Sequence, residues 1–289
     1  MQAPVHDLLN AVAWRLSGFT ETPELDAQVL LAHVLDRPRT WILAHADSLP
    51  EPSRLEFLES LVRRLEAGEA FPYVVGHREF FGIDFDVTQE VLIPRPETEL
   101  LVEKAISWLD AAPGSQNIVD IGTGCGCIAV CLALKVPHVR VLGTDISLAA
   151  LRVAAGNVRR LGAADCVDLL NCDLLPPQPK DLPSYRKFDL VCANLPYVPE
   201  GTLRGLPVYG REPLLALSGG VDGLARIRSL LTRAPDWIKP HGLILVEIEA
   251  SQGTRVLDLA RDAFPRAAVS LHQDLAGLDR LLQIEMPGA

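Results

Sequence analysis

Long hydrophobic runs are missing from this chain of 289 residues. The longest, Ile128 to Leu134, stops at Lys135, far short of the roughly 18 apolar residues that read as a membrane-spanning helix, and no membrane association is expected. The start, Met1-Gln2-Ala3-Pro4-Val5-His6-Asp7, lacks the basic residues and apolar stretch of a secretory leader, so a cytoplasmic location is expected. Positive charge is scarce. Lys and Arg number 27 against 37 Asp and Glu, and the net charge of −10 provides no chain-wide field to draw in a phosphate backbone. A nucleic-acid partner is disfavoured on that ground, although a local basic groove stays open. Cysteine is thin as well: Cys125, Cys127, Cys131, Cys166, Cys172 and Cys192 all fall in the central third, too few for a disulfide scaffold, and read as reduced thiols filling small core spaces. The spacing Cys125-x-Cys127-x-x-x-Cys131 raises a metal or iron–sulfur centre, but no fourth Cys or His lies near in sequence, and no metal is expected. The remaining composition, 48% hydrophobic and 22% charged, is ordinary for a globular protein and excludes disorder and collagen-like repeats. The length suits two domains.

Residues 1 to about 70 carry helix punctuation and no convincing strand. Thr22-Pro23-Glu24 places a capping hydroxyl before a proline at the first helical position, and Leu25, Val29, Leu30 and Val34 follow at helical spacing. Ser53-x-x-Glu56 reads as a capping box opening a helix whose Leu55, Leu58, Leu61, Val62 and Leu65 share one face. With helices near Val5–Leu16 and Thr40–Ala46, a small helical domain is expected over residues 1–70. From Phe71 the period changes. Tyr73-Val74-Val75-Gly76, Glu79-Phe80-Phe81-Gly82 and Ile83-Asp84-Phe85-Asp86-Val87 read as short strands joined by glycine turns, which predicts a β-hairpin linker over 71–94. Pro94-Arg95-Pro96 ends it, and Glu97 and Glu99 suit the first turn of a helix reaching about Trp108.

Beyond Pro113 strand and helix patterns alternate. Strands are predicted at Asn117–Ile121, Arg140–Thr144, Val167–Asn171, Phe188–Cys192, Gly242–Ile248, Ala268–His272 and Leu281–Glu285, and helices at Cys127–Leu134, Leu148–Leu161, Leu224–Ala234 and Gln252–Ala263. Such alternation predicts an α/β fold: a seven-stranded, doubly wound, mostly parallel sheet within residues 95–289, with its ligand beyond the carboxyl ends of the first strands. Only Gln273 to Arg280 joins the two closing strands, too short for a crossover helix, so that pair should run antiparallel.

Asp120-Ile121-Gly122-Thr123-Gly124-Cys125-Gly126-Cys127 lies where the first of these strands gives way to a helix, and glycines there let the backbone turn sharply and approach a ligand. The dinucleotide spacing G-x-G-x-x-G fails, because Cys127 takes its last position. Asp145 closes the second strand, placed to accept hydrogen bonds from both hydroxyls of a ribose. The combination is similar to the class I S-adenosylmethionine-dependent methyltransferases over roughly residues 95 to 285. That resemblance implies S-adenosylmethionine as cofactor and S-adenosylhomocysteine as product. It implies a loop from Gly122 through Thr123, Gly124 and Cys125 to Gly126 beside the amino-acid end, Asp145 on the ribose, and Asp173-Leu174 flanking the adenine. Asp173 reads equally well as an ordinary turn residue.

The fourth strand runs directly into Asn194-Leu195-Pro196-Tyr197. A planar nitrogen, in an amide or an adenine amino group, is a poor nucleophile toward a sulfonium methyl because its lone pair is delocalised. Acceptors for both of its N–H groups favour the geometry that aims the lone pair at the methyl carbon. The Asn194 side-chain carbonyl and the Leu195 backbone carbonyl can be those acceptors. Pro196 stiffens the segment and holds Leu195 extended, and Tyr197 can stack on a flat substrate group. Leu195 stands where methyltransferases of planar nitrogens usually have a first proline, and the substitution keeps the carbonyl that matters. Asn-Leu-Pro-Tyr is also similar to the motif of ribosomal-RNA adenine methyltransferases.

Further segments resemble the peptide chain release factor glutamine methyltransferases, the HemK/PrmC family. They are Tyr73-Val74-Val75-Gly76-His77-Arg78-Glu79-Phe80-Phe81-Gly82, Val91-Leu92-Ile93-Pro94-Arg95-Pro96-Glu97-Thr98-Glu99, Arg211-Glu212-Pro213-Leu214-Leu215-Ala216-Leu217-Ser218-Gly219-Gly220-Val221-Asp222-Gly223-Leu224 and Asp274-Leu275-Ala276-Gly277-Leu278-Asp279-Arg280. The resemblance implies methyl transfer to the glutamine amide of the Gly-Gly-Gln loop of class I release factors, with Asn194 and Tyr197 gripping the amide. The N-terminal helices would dock the release factor, although packing or a dimer surface explains them as well, and a monomer is expected. Arg95 reads either as a linker arginine paired with a Glu or as part of the cofactor pocket. Glu247-Ile248-Glu249-Ala250-Ser251-Gln252 departs from the glycine-containing Glu-Ile-Gly-x-x-Gln of relatives. A methyltransferase of DNA or RNA adenine or of a ribosomal-protein glutamine, and a non-catalytic adaptor, are the competing readings.

Overall fold

The computed structural model describes residues 3–112, 114–176, 185 and 187–288, so Met1, Gln2 and Pro113 of the readings above lie outside it. The chain divides into two compact units, one ending at His77 and the other beginning at Arg78.

The first unit is helical: α1 (Val5–Leu16), α2 (Pro23–Leu35), α3 (Arg39–Ala44), α4 (Pro52–Glu66) and α5 (Phe71–Val75). Leu16, Leu30, Ile42, Leu61 and Val62 are among the side chains that close its core. Arg15 of α1 forks onto Glu59 and Glu66 of α4, at 2.6 and 2.8 Å. Three local expectations are corrected here. Tyr73-Val74-Val75 is a helical turn rather than a strand, because Pro72 sits in its first turn and Gly76, at φ 83°, ends it in the left-handed region. The box at Ser53 does not form, since Pro52 opens α4 and Glu51 takes the flanking position without a side-chain bond. Thr22 precedes α2 as expected, but its hydroxyl does not cap; its backbone carbonyl accepts from Asp26.

Strands β1 (His77–Phe80) and β2 (Ile83–Asp86) pair as a hairpin. Its turn residues Phe81 and Gly82 both have positive φ, 54° and 74°, the conformation that suits the twist of a two-residue hairpin. Carboxylates hold it there: Glu99 accepts from the Phe81 N–H and Glu79 from that of Gly82. A 3₁₀ turn, Pro96–Thr98, precedes α6 (Glu99–Ala111), so the helix expected from Glu97 to about Trp108 begins and ends later.

The rest alternates: β3 (Gln116–Ile121), α7 (Cys127–Lys135), β4 (Val139–Asp145), α8 (Leu148–Arg160), β5 (Val167–Asn171), β6 (Phe188–Ala193), the short helices α9 (Glu200–Leu203) and α10 (Leu214–Leu217), α11 (Ala225–Arg233), β7 (Ile238–Glu247), α12 (Gly253–Ala263), β8 (Ala268–Gln273) and β9 (Asp279–Glu285). The sheet has seven strands in the order β5-β4-β3-β6-β7-β9-β8. Its strands from β5 to β7 are parallel, and β9 runs antiparallel to both β7 and β8, as the short final connection predicts. Ile118, Val119 and Ile121 of β3, with Asp120 among them, and Leu190, Val191 and Cys192 of β6 are all buried, the pattern of central strands covered on both faces.

After β3 the chain winds outward through β4 and β5, then returns to place β6 on the other side of β3. That reversal opens a crevice at the carboxyl ends of the strands. The parallel registers carry the consequence. Thr144, Ile121, Ala193 and Val246 stand side by side across the sheet, so the next residue of each strand forms a row along its carboxyl edge: Asp145, Gly122, Asn194 and Glu247.

Candidate active site

Gly122, Gly124 and Gly126 all have positive φ, 72°, 56° and 86°. At Gly122 the requirement is also one of space, since a Cβ would lie 3.3 Å from the Leu195 side chain and 3.6 Å from the Asn194 carbonyl oxygen. The loop is held from beneath by Thr144, whose carbonyl accepts from the N–H groups of Gly122 and Thr123 at 2.8 and 2.9 Å. Asp120 holds it from inside, where one carboxylate oxygen accepts from the Thr123 hydroxyl (2.6 Å) and the Ala129 N–H (3.2 Å). Its other oxygen is buried without a partner, and burial pushes the carboxyl up to about 7 against the pull of those two donors.

Asp145 accepts from the Gly124 N–H (3.0 Å) on one oxygen and from the Ser147 N–H (2.8 Å) on the other. Partial burial raises its pKa, opposed by the backbone N–H groups of Ser147, Gly124 and Ile146. The residue lines the cavity. The Thr144 hydroxyl donates to the Leu174 carbonyl at 2.7 Å and so fixes the next segment. Leu174 has φ 62°, a strained conformation for a leucine, and strain of this kind gathers where a ligand is held. Asp173 beside it pairs with Arg226 at 3.3 Å.

These segments enclose a cavity of about 260 Å³, of the size that takes one small molecule. Gly122, Thr123, Gly124, Cys125, Asp145, Asp173, Leu174, Asn194, Leu195 and Pro196 all line it. Gly126 does not, because it turns the chain into α7, and a Cβ there would meet Ala154 at 3.4 Å. Tyr197 does not line it either: its hydroxyl donates to Glu247 at 3.2 Å and its backbone carbonyl accepts from Gln252 at 2.9 Å. The cavity suits an elongated adenosine-bearing ligand, with glycines where a Cβ would crowd it, a carboxylate where a diol would donate, and the apolar Ile146 and Leu174 on its wall. Among the described residues no three His, Cys, Asp or Glu side chains are grouped to hold a metal, and Cys125, Cys127 and Cys131 are unpaired.

Arg95 lines the cavity and, as the first of its readings has it, pairs with a glutamate, the buried Glu212, whose second oxygen accepts from the Ile93 N–H at 3.2 Å. In the loop after β7, Glu249 accepts from Ser251, and Gln252 accepts from the Glu249 N–H, closing a capping box.

Sequence patterning singled out neither Thr98 nor Thr144, and Glu247 entered it only as the first residue of the segment Glu247–Gln252. The Thr98 hydroxyl donates to Glu247 at 2.6 Å and accepts from the Asn194 side-chain NH₂ at 3.0 Å. Burial pushes the Glu247 carboxyl up, while Thr98, Tyr197 and the charge of Arg280 pull it down. Among the described residues none donates to the Asn194 side-chain carbonyl or to the Leu195 backbone carbonyl, so both acceptors at the crevice keep free lone pairs.

Two family profiles match the chain, the PrmC N-terminal domain over residues 7–76 and the methyltransferase small domain over residues 97–204. The release factor glutamine methyltransferase of Moorella thermoacetica is 42% identical over 271 residues, which cover 93% of this chain and 94% of that one. Its counterpart in Bordetella pertussis is 40% identical over 268 residues, covering 90% and 93%. A methyltransferase structure from Pyrococcus furiosus has a TM-score of 0.50 at 17% identity, over 78% of this chain and 98% of that one, a likeness of fold alone.

Proposed function

The chain belongs to the release factor glutamine methyltransferase family, and on that footing we propose that it transfers a methyl group to the side-chain amide of the glutamine in the Gly-Gly-Gln loop of class I peptide chain release factors. The observation that carries the reading is the pair of free acceptors, Asn194 Oδ1 and the Leu195 carbonyl, at the edge of the glycine-loop cavity. S-Adenosylmethionine, when bound, supplies a methyl on a sulfonium, which leaves as S-adenosylhomocysteine when the sulfur keeps the electron pair of the broken S–C bond.

Asp145 would hold the ribose hydroxyls, the loop from Gly122 to Gly126 the amino-acid end, and Asp173 and Leu174 the adenine. Asn194 and Leu195 accept the two N–H groups of the substrate amide, so the nitrogen lone pair is directed at the methyl carbon. No strong general base is needed, because the alkylated nitrogen becomes acidic and its surplus proton passes to water. Pro196 keeps Leu195 extended. Tyr197, its hydroxyl bound to Glu247, braces the end of the tetrapeptide, and contact of its ring with the amide belongs to the substrate-bound state.

Incubation with a purified class I release factor and isotopically labelled S-adenosylmethionine, followed by peptide mapping, tests the reading. Label is expected in the Gly-Gly-Gln peptide. Label found instead on RNA, DNA or a ribosomal protein overturns it. In the same assay Asn194→Ala should lower kcat by roughly 10²- to 10³-fold, the range seen when one preorganised polar group is removed, with cofactor affinity largely kept.

A further inference from the structure

We infer that Glu247, acting through Thr98, is the positioning residue that sets which way the Asn194 amide faces, and with it whether the site offers an acceptor or a donor to its substrate. The inference rests on the role given above to Asn194.

A side-chain amide is nearly symmetric in shape, and turning it over exchanges its oxygen and its NH₂ with almost no steric change. Packing alone therefore does not fix the orientation, and hydrogen bonding must. Asn194 Nδ2 lies 3.0 Å from Thr98 Oγ1, which lies 2.6 Å from Glu247 Oε2. A threonine hydroxyl has one proton, and Thr98 donates it to Glu247. The Thr98 proton is thus committed to Glu247, and the hydroxyl oxygen presents only lone pairs to Asn194. Only the NH₂ can pair with it, so Oδ1 faces the crevice. The reverse orientation would set two acceptors against each other, or would pull the Thr98 proton off Glu247.

The second oxygen of Glu247 accepts from Tyr197 at 3.2 Å, so both ends of the carboxylate are engaged. Glu247 and Thr98 are 1% and 2% exposed, which keeps water from taking over either bond. The sheet puts the relay in place without adjustable parts, because Ala193 pairs with Val246 and the next residues, Asn194 and Glu247, lie side by side. Thr98 closes the bridge from the 3₁₀ turn that precedes α6.

The test is a set of variants assayed for methyl transfer to the release factor, with kcat, KM and cofactor affinity measured separately. Thr98→Val removes the hydroxyl at constant shape and should lower kcat roughly 10- to 100-fold, the span of one charge-assisted hydrogen bond at tenfold per 1.36 kcal/mol, while cofactor affinity stays within about twofold. Thr98→Ser restores the hydroxyl and should recover kcat to within a few fold. Glu247→Gln can turn its own NH₂ toward Thr98, freeing the hydroxyl proton for Asn194 Oδ1, and should lose activity despite its near-identical shape. The double variant Thr98→Val, Glu247→Gln should be no worse than the poorer single one, because the two residues act on one orientation. Multiplying losses, or no rescue by Thr98→Ser, would show two independent structural contributions and overturn the relay. If Asn194→Ala keeps full activity, the role of Asn194 itself is wrong. If it loses activity while Thr98→Val does not, the relay alone fails.

Discussion

Asp120 offers a quantitative test of the buried floor of the site. Its side chain is fully buried, one oxygen holds Thr123 and Ala129, and the other has no partner. Burial raises its pKa from 3.8 to about 7. At about 1.36 kcal/mol per pH unit, this gap corresponds to about 4 kcal/mol between the neutral and the ionised carboxyl. Between about pH 4 and pH 7 the folded chain holds a proton that the unfolded chain has released, so this group's stability contribution falls as pH rises. It is intact below about pH 4 and spent above about pH 7, with a slope near 1.4 kcal/mol per pH unit between. Asp120→Asn removes the titration and adds an offset that is the same at every pH. Urea unfolding of both proteins, followed by circular dichroism at intervals from about pH 5 to about pH 8, isolates the group by difference, because every other carboxylate cancels. The variant should gain about 3 kcal/mol on the wild type across that range and level off above it. A difference that stays flat, or that moves toward the wild type, would refute the assignment of a neutral buried carboxyl at low pH.

Thr144→Val should destabilise the fold by about 1–3 kcal/mol, because the Leu174 carbonyl loses its buried donor at a strained residue; thermal unfolding measures this, and Thr144→Ser should recover most of it. Gly122→Ala forces an alanine to φ 72°, at about 1–2 kcal/mol, and presses a methyl toward Leu195. Titration calorimetry with S-adenosylmethionine should show affinity weakened about tenfold or more, and unchanged affinity would mean that the loop does not hold the cofactor.

The parts of the site carried by one short stretch of chain were legible before the fold was known. Asp120 to Gly126 announces itself by its glycines, and Asn194 to Tyr197 by its place after a strand. Thr98, Thr144 and Glu247 carry no such local signal. Thr98 lies 96 residues from Asn194 and 149 from Glu247; the parallel register of β6 and β7 brings Asn194 and Glu247 together, and the turn before α6 carries Thr98 to them. Thr144 works largely through its backbone carbonyl, which no side-chain pattern reports. The misread strand at Tyr73-Val74-Val75 has a similar origin: its β-branched and aromatic residues favour a strand, but Pro72 and Gly76 supply a start and a stop for one helical turn. For the last strands, the loop length gave the antiparallel direction, yet the insertion of β9 between β7 and β8 depends on which edge was free.

Leu195 joins the two halves of the site. With a proline at this position, the ring would fix φ and stiffen the segment by covalent means. Leucine leaves that torsion free, so the backbone that carries the carbonyl needs another restraint. The structure supplies two: Pro196 disfavours helical backbone at Leu195, and the leucine side chain, 4% exposed, packs at the bare face of Gly122. The glycine that turns the loop at the cavity is thus also the floor against which the Leu195 side chain, and with it the proposed substrate acceptor, is steadied. A side chain at Gly122 would disturb both tasks at once, whereas a proline in place of Leu195 would separate them.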